Sequence, residues 1–129
     1  MNKTDTSLAE LDLGKWQAQL RKGALGLAVL ATLCEGRAYG LEILRRLDGE
    51  SEVSTPEGTI YPLLSRLQRE GLVLSQWETE SASHPRKYYA LTERGRSQLA
   101  GMTTAWRAFA RSMDRLIAPT LHLEGADAA

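Results

Sequence analysis

Hydroxyl and guanidinium side chains recur at helical spacing in the stretch EGTIYPLLSRLQR, which begins at Glu57. The polar residues that share one face of such a helix are Thr59, Ser65, Arg66 and Arg69. The apolar residues of the opposite face are Ile60, Leu63, Leu64 and Leu67. Hydroxyl and guanidinium groups donate hydrogen bonds to phosphate oxygens and to the edges of bases. The pattern therefore predicts a helix that is buried on one side and able to bind nucleic acid with the other.

A second group of basic residues lies further along the chain. Between residues 86 and 96 the basic residues are Arg86, Lys87, Arg94 and Arg96, and Glu93 is the one acidic residue. The whole chain has a formal net charge of zero. A protein that binds polyanions without selectivity would carry a large positive charge, so the sequence predicts a local basic surface instead.

The composition argues against an enzyme, a metal site or a cofactor. His84 and His122 have no cysteine or histidine neighbour at the spacing of a zinc site. The sequence contains no nucleophile elbow and no phosphate-binding loop. The single Cys34 allows no internal disulfide, lies in an apolar stretch that predicts a core position, and fits the reducing cytoplasm. With no apparent secretion signal and no apolar run of membrane-spanning length, we expect a cytoplasmic protein.

The elements that must position these residues follow from periodicity and turn chemistry. A largely buried helix is predicted from Lys15, a short second helix over Tyr39–Leu47, and the polar-faced helix between Ser54 and Gly71, with Thr55 or Ser54 as its cap and Pro56 in its first turn. Two strands, at Leu72–Glu80 and Arg86–Thr92, flank a turn at Ser81–Pro85. Thr92 caps a last helix over Glu93–Ala118.

This order predicts a mainly α fold with a small β-hairpin, namely a winged helix-turn-helix followed by a C-terminal dimerisation helix. We expect residues 1–14 to be a flexible N-terminus, residues 15–92 the winged unit, residues 93–118 the last helix and residues 119–129 a tail. The chain of 129 residues is long enough for one such domain.

The last helix carries large apolar residues in alternating steps of three and four, which is a heptad seam. The residues are Leu99, Met102, Trp106, Phe109, Met113 and Leu116. The seam could dock on the core of its own domain. Self-association is the favoured interpretation, because Trp106 and Phe109 are large for the outermost helix of a small protein, and Trp16 and Leu20 offer a second face for it. A third interpretation is a ligand pocket in which Trp106 stacks on a flat aromatic compound.

Several other side chains have both a packing and a binding interpretation. Tyr61 and Tyr89 could be packing aromatics or could direct their hydroxyls to phosphates. Glu57 could serve the start of its helix or accept a hydrogen bond from a cytosine amino group. The hairpin should reach DNA through its tip and the adjoining strand, where His84, Arg86 and Lys87 lie.

Three blocks of this sequence together resemble the PadR family of bacterial transcriptional regulators. The blocks are GRAYGLEI from Gly36, EGTIYPLL from Glu57 and PRKYY from Pro85. The resemblance covers about Leu20 to Ala100. The short last helix is similar to that of the compact members of the family, which have a single short C-terminal helix. It departs from the family at Tyr39, where many members have His, and at Pro56, where a polar cap is common.

The resemblance implies that the helix holding Thr59 and Tyr61 enters the major groove, that Arg86 and Lys87 belong to the wing, and that the last helix pairs across a two-fold axis. It also implies a repressor that is released by a small aromatic effector or another stimulus. We therefore expect a homodimer that binds a pseudo-palindromic operator. The predicted DNA-binding residues are Tyr39, Glu57, Thr59, Tyr61, Ser65, Arg66, His84, Arg86, Lys87 and Tyr89. The alternative is a winged-helix protein-interaction module without specific DNA binding.

Overall fold

The computed structural model describes residues 3–79 and 84–120, and for residues 3–12 it describes the backbone alone. The helices are α1 (Lys3–Thr32), α2 (Gly40–Asp48), α3 (Glu57–Arg69) and α4 (Glu93–Ile117). The strands are β1 (Ala38–Tyr39), β2 (Val73–Glu78) and β3 (Arg86–Leu91). Short 3-10 turns occupy Ser51–Val53 and Ala118–Thr120. The mainly helical fold with a small hairpin is confirmed. Residues 81–83 of the predicted turn and residues 121–129 of the predicted tail lie outside the described residues.

The core lies where α1, α2 and α3 meet the inner face of the sheet. Its side chains are buried because each helix contributes an apolar stripe to the same centre. The most completely buried large side chains are Leu30, Leu33, Ile43, Ile60, Leu64, Val29 and Val73. The Arg46 guanidinium donates to the carbonyl of Thr32 at the end of α1, which ties α2 to α1.

The helix α3 buries the four apolar residues that its period predicted, Ile60, Leu63, Leu64 and Leu67. It ends at Arg69, and Gly71, two residues further on, has a left-handed φ of 76°. The Leu72 N–H donates to the Leu67 carbonyl at 3.0 Å and the Gly71 N–H to the Gln68 carbonyl at 3.0 Å, which is a Schellman motif.

The predicted cap of α3 is wrong. Pro56 is the N-cap residue, and no side chain bonds to the first turn from that position. The hydroxyl of Thr55 donates instead to the Val53 carbonyl at 2.9 Å, and that of Ser54 to Asp48 Oδ1 at 2.8 Å. Both hydroxyls therefore bond within the segment that precedes α3 and not to its first turn.

The sheet has three antiparallel strands in the order β1-β3-β2, where the sequence predicted two. Trp77 pairs with Lys87 and Glu78 with Arg86 at the end of the hairpin next to its turn, while Val73 pairs with Leu91 at the end near the core. The unpredicted strand β1 pairs Tyr39 with Tyr88, so Tyr39 precedes α2. The Tyr39 N–H donates to Glu42 Oε1 at 3.1 Å, which closes the start of α2.

The first helix differs from its predicted extent at both ends. It begins at Lys3 and runs without a break to Thr32, whereas the sequence predicted a start at Lys15. Because the helix stops at Thr32, Cys34 falls in the following turn, where it is exposed. The prediction that Cys34 is a core residue is therefore wrong. None of the helices within the described ranges is long and apolar enough to cross a membrane.

Thr92 joins the winged unit to α4. Its hydroxyl accepts from the Gly95 N–H at 2.9 Å and donates to the Gly71 carbonyl at 2.7 Å. The predicted cap of α4 is thus confirmed, and the same hydroxyl holds the end of α3. At Gly95 a Cβ would lie 1.9 Å from the Leu72 carbonyl oxygen, so this close approach requires glycine.

Candidate nucleic-acid interface

The polar face of α3 is open to solvent along its whole length. The residues predicted to bind DNA from this helix are all exposed, and they are Glu57, Thr59, Tyr61, Ser65 and Arg66. The buried stripe holds the opposite side of the helix against the core, so the exposed face cannot rotate inward. This arrangement presents hydroxyl, carboxylate and guanidinium groups to a partner.

A groove of about 640 Å³, which we call the wing groove, lies between α3, the start of α2 and the hairpin. Its lining residues are Tyr39, Gly40, Leu41, Arg45, Tyr61, Ser65, Trp77, Pro85, Arg86, Lys87 and Tyr89. Residues from β1, α2, α3, β2 and β3 therefore meet in one concave surface. The predicted residues that the groove brings together are Tyr39, Tyr61, Ser65, Arg86, Lys87 and Tyr89.

The position of Tyr61 in the wing groove is fixed by Gly40. A Cβ at residue 40 would lie 2.6 Å from both Cε1 and the hydroxyl oxygen of Tyr61. The absence of a side chain at Gly40 thus creates the space that the Tyr61 ring occupies. Tyr61 remains 39% exposed, so its polar edge is still accessible from the groove.

Tyr89 forms the floor of the groove and is only 5% exposed, within the hydrophobic core. Burial, together with the nearby Tyr61, raises the pKa of Tyr89 above its usual value of 10.0, so its hydroxyl stays protonated. The Tyr89 ring packs in the core beneath Tyr61, and the residue also lines the wing groove. Contact of its hydroxyl with a phosphate stays a prediction.

The basic side chains of the hairpin stack on aromatic rings. The Arg86 guanidinium carbon lies 4.4 Å from the centroid of Tyr39, and Lys87 Nζ lies 5.7 Å from that of Tyr89. Tyr39 meets Tyr88 edge to face, with ring centroids 5.5 Å apart. Stacking restricts the two cations to few conformations, so less entropy is lost when they bind an anion.

The other end of this aromatic row holds Arg37. Its guanidinium carbon lies 4.2 Å from the Tyr88 centroid, and its Nη2 is 3.5 Å from Glu78 Oε2. The charge of Arg37 is thus shared with a carboxylate, and the row anchors β1 to the hairpin. Tyr39, which the sequence assigned to DNA binding, is half-buried in this row and positions Arg86.

The remaining predicted residues lie outside the wing groove. Thr59 and Arg66 are on the other side of α3, in a groove shared with α1. Glu57, in the first turn, and His84, beside Pro85 in the hairpin, are exposed and line neither groove. Arg45 and Trp77 also line the wing groove and were not predicted from the sequence; the outward position of Arg45 on α2 was the available signal.

The predicted seam of α4 divides into two parts. Leu99 is 8% exposed and belongs to the core, so its assignment to a dimer interface is corrected. Met102 is partly buried against the core, and its assignment stays a prediction. Both residues contact their own domain because the first turns of α4 lie against α1 and the sheet. From Trp106 onward the seam is exposed, and so are the side chains facing it on α1. These exposed residues, which we call the tail face, are Leu13, Trp16, Leu20, Trp106, Phe109, Met113, Leu116 and Ile117.

A mainly apolar groove of about 460 Å³ lies within the tail face, between α1 and α4. Trp106 and Phe109 form one wall, with ring centroids 6.3 Å apart, and Leu20, Ala24 and Leu27 form the other. Among the described residues, no group of histidine, cysteine and carboxylate side chains is arranged to hold a metal ion.

A family model, described as the transcriptional regulator PadR-like family, matches residues 29–101. Among solved structures, the chain is similar to a PadR family transcriptional regulator from Eggerthella lenta, with 30% identity and a TM-score of 0.77, covering 86% of this chain and 96% of that one. It is also similar to a PadR-like regulator from Bacillus cereus, with 31% identity, a TM-score of 0.69, and coverage of 77% and 96%. A PadR family regulator from Clostridium difficile has 28% identity, a TM-score of 0.68, and coverage of 73% and 98%.

The matched residues run from the last turn of α1 to the first turns of α4 and so contain α2, α3 and the three strands. The family is one of transcription regulators and not of enzymes, and its winged helix-turn-helix is a DNA-binding fold. The fold, the exposed face of α3 and the family match agree, and the chain belongs to the PadR-like family of transcriptional regulators.

Proposed function

We propose that this regulator is a repressor that binds a pseudo-palindromic operator as a homodimer. The observation that carries the proposal is the wing groove, where the exposed Tyr61 and Ser65 of α3 face the same space as Arg86 and Lys87. In such an arrangement α3 lies in the major groove and reads base edges, while the hairpin binds the neighbouring phosphates. Repression needs only that the bound protein occupy the promoter.

The tail face supports the homodimer. Exposed apolar patches this large on a small domain usually mark an interface, and a second copy is the partner that presents the same apolar seam. A two-fold dimer would also provide two copies of α3, one for each half of a palindrome. Trp16 and Leu20 on α1, with Trp106, Phe109, Met113 and Leu116 on α4, form the proposed interface.

Replacing Arg86 or Lys87 with alanine should weaken DNA binding by about tenfold or more, because each dimer then binds two fewer phosphates through charge-assisted hydrogen bonds. The slope of log affinity against log salt should become shallower by roughly 0.9 for each phosphate that is no longer neutralised. The affinity for specific and for unrelated DNA should fall by similar factors, since phosphates carry no sequence information.

Fluorescence anisotropy with the DNA upstream of the coding region, over a series of potassium chloride concentrations, measures both quantities. Arg111→Ala is the matched control, since Arg111 is exposed on α4 and distant in sequence from the winged unit. A decrease in affinity confined to one base position would contradict the phosphate assignment. If wild-type protein forms no specific complex with this fragment, the alternative of a protein-interaction module gains support.

Binding of a small aromatic effector is a second candidate function, and the apolar groove beside Trp106 favours it. Its volume of about 460 Å³ is within the range of small-molecule sites. A flat aromatic compound that stacks on Trp106 should quench tryptophan fluorescence and release the protein from DNA. Titration with a panel of phenolic acids and planar aromatic cations checks this, with Trp106→Leu as the comparison. Quenching that is unchanged in the variant would exclude the groove as the binding site.

A further inference from the structure

A second basic surface lies on the side of α3 that faces away from the wing. It is a groove of about 330 Å³ between α1 and α3, which we call the α1 flank. Its lining residues are Lys22, Leu25, Gly26, Thr59, Pro62, Leu63, Arg66 and Arg69. Lys22 and Thr59 also line the adjoining concavity at the start of α3, so the flank continues to Pro56.

The charge of the α1 flank is positive and accessible. Lys22, Arg66 and Arg69 lie on the solvent side of the groove, and the residues lining it include no carboxylate. Arg66 Nε lies 3.8 Å from Glu70 Oε2, but both side chains are more than half exposed, so this ion pair is weak and easily exchanged for a phosphate. The neighbouring Arg21 is not counted in the flank, because its Nε donates a hydrogen bond to the Glu52 carbonyl at 3.2 Å.

The two flanks of α3 are placed like the two rims of a major groove. A helix with its side chains is about 10–12 Å across, and a major groove about 12 Å wide has a phosphate backbone along each rim. Tyr61 and Ser65, one turn apart, face the wing, whereas Thr59 and Arg66, two turns apart, face α1. A duplex that meets Arg86 with one strand would therefore bring its other strand to Lys22.

We propose that α1 is a DNA-contacting element, in which Lys22, together with Arg66 and Arg69, binds phosphates of the strand opposite the wing. This inference rests on the proposed function and extends it, because it assigns a binding role to a helix that otherwise serves the core and the tail face. The winged unit then holds the duplex from both sides of α3.

The test compares Lys22→Ala, Lys22→Arg and Lys15→Ala with wild-type protein in the anisotropy titration over potassium chloride. Lys22→Ala should weaken binding about tenfold on specific and unrelated DNA alike and should lower the salt slope by roughly 0.9 for each phosphate that Lys22 neutralises. Lys22→Arg should retain most of the affinity. Lys15→Ala, two turns away on the same helix, should bind like wild type. Thermal unfolding and the oligomeric state of each variant establish that the fold is intact.

An unchanged salt slope in Lys22→Ala, while Arg86→Ala still binds more weakly than wild type, would overturn the role of α1 and leave the proposed function standing. Weakening by Lys22→Ala on one DNA sequence alone would also overturn it, because a phosphate contact supports binding to all sequences alike. If wild-type protein binds no DNA specifically, both proposals are overturned together.

Discussion

Replacing Phe109 and Leu116 with glutamate should turn the protein into a folded monomer and weaken operator binding by about a hundredfold or more. Phe109 is 57% and Leu116 74% exposed, so the substitutions disturb little within one protomer. In a dimer each would bury a carboxylate in an apolar seam, where the cost of desolvation is high. Without the dimer, each α3 binds its half-site alone, and the higher affinity that comes from linking two sites disappears.

Sedimentation velocity measures the oligomeric state, and anisotropy on the operator fragment measures the affinity. The matched control is Thr104→Glu with Ala108→Glu, which adds the same charge on the exposed opposite side of α4. That variant should remain a dimer and bind DNA well. A Phe109 and Leu116 variant that sediments as a dimer would contradict the assignment of the tail face.

Two substitutions of glycine by alanine should have contrasting effects. Gly95→Ala should lower the free energy of unfolding by about 3 kcal/mol and the melting temperature by roughly 10 °C, because its Cβ would meet the Leu72 backbone at 1.9 Å. Gly40→Ala should cost much less stability, because its Cβ meets only the far end of the flexible Tyr61 side chain. It should nevertheless weaken operator binding by about tenfold, since Tyr61 must leave its place in the wing groove.

Urea unfolding followed by circular dichroism gives the stabilities, and anisotropy gives the affinities. Each variant serves as the other's control, because one tests a backbone contact and the other a side-chain position. Wild-type stability in Gly95→Ala would show that α4 can move away from Leu72. Wild-type affinity in Gly40→Ala would show that the position of Tyr61 does not matter for binding.

The helix α3 and the hairpin were predictable from sequence because their signals are local. The spacing of Ile60, Leu63, Leu64 and Leu67 fixes which side of α3 is buried, and therefore which side is exposed. The same holds for Thr92, whose position directly before a helical period made it the cap of α4.

The incorrect predictions concern positions whose environment depends on residues distant in sequence. The heptad spacing of Leu99 is compatible with packing against its own domain or against a partner. Leu99 lies in the core of its own domain because the start of α4 packs against α1. The two-residue strand at Ala38 is too short to have a period. The cap of α3 is the local exception, because the hydroxyl of Thr55 bonds to the carbonyl of Val53, two residues before it.

Hydroxyl-radical footprinting of wild-type protein on the DNA upstream of its coding region shows whether two copies of α3 enter successive major grooves, on which the proposed function depends. We expect two protected half-sites related by two-fold symmetry, with centres about one helical turn, or roughly 10 base pairs, apart. Protection of a single half-site without symmetry, or no sequence-specific protection at any protein concentration, would contradict this expectation.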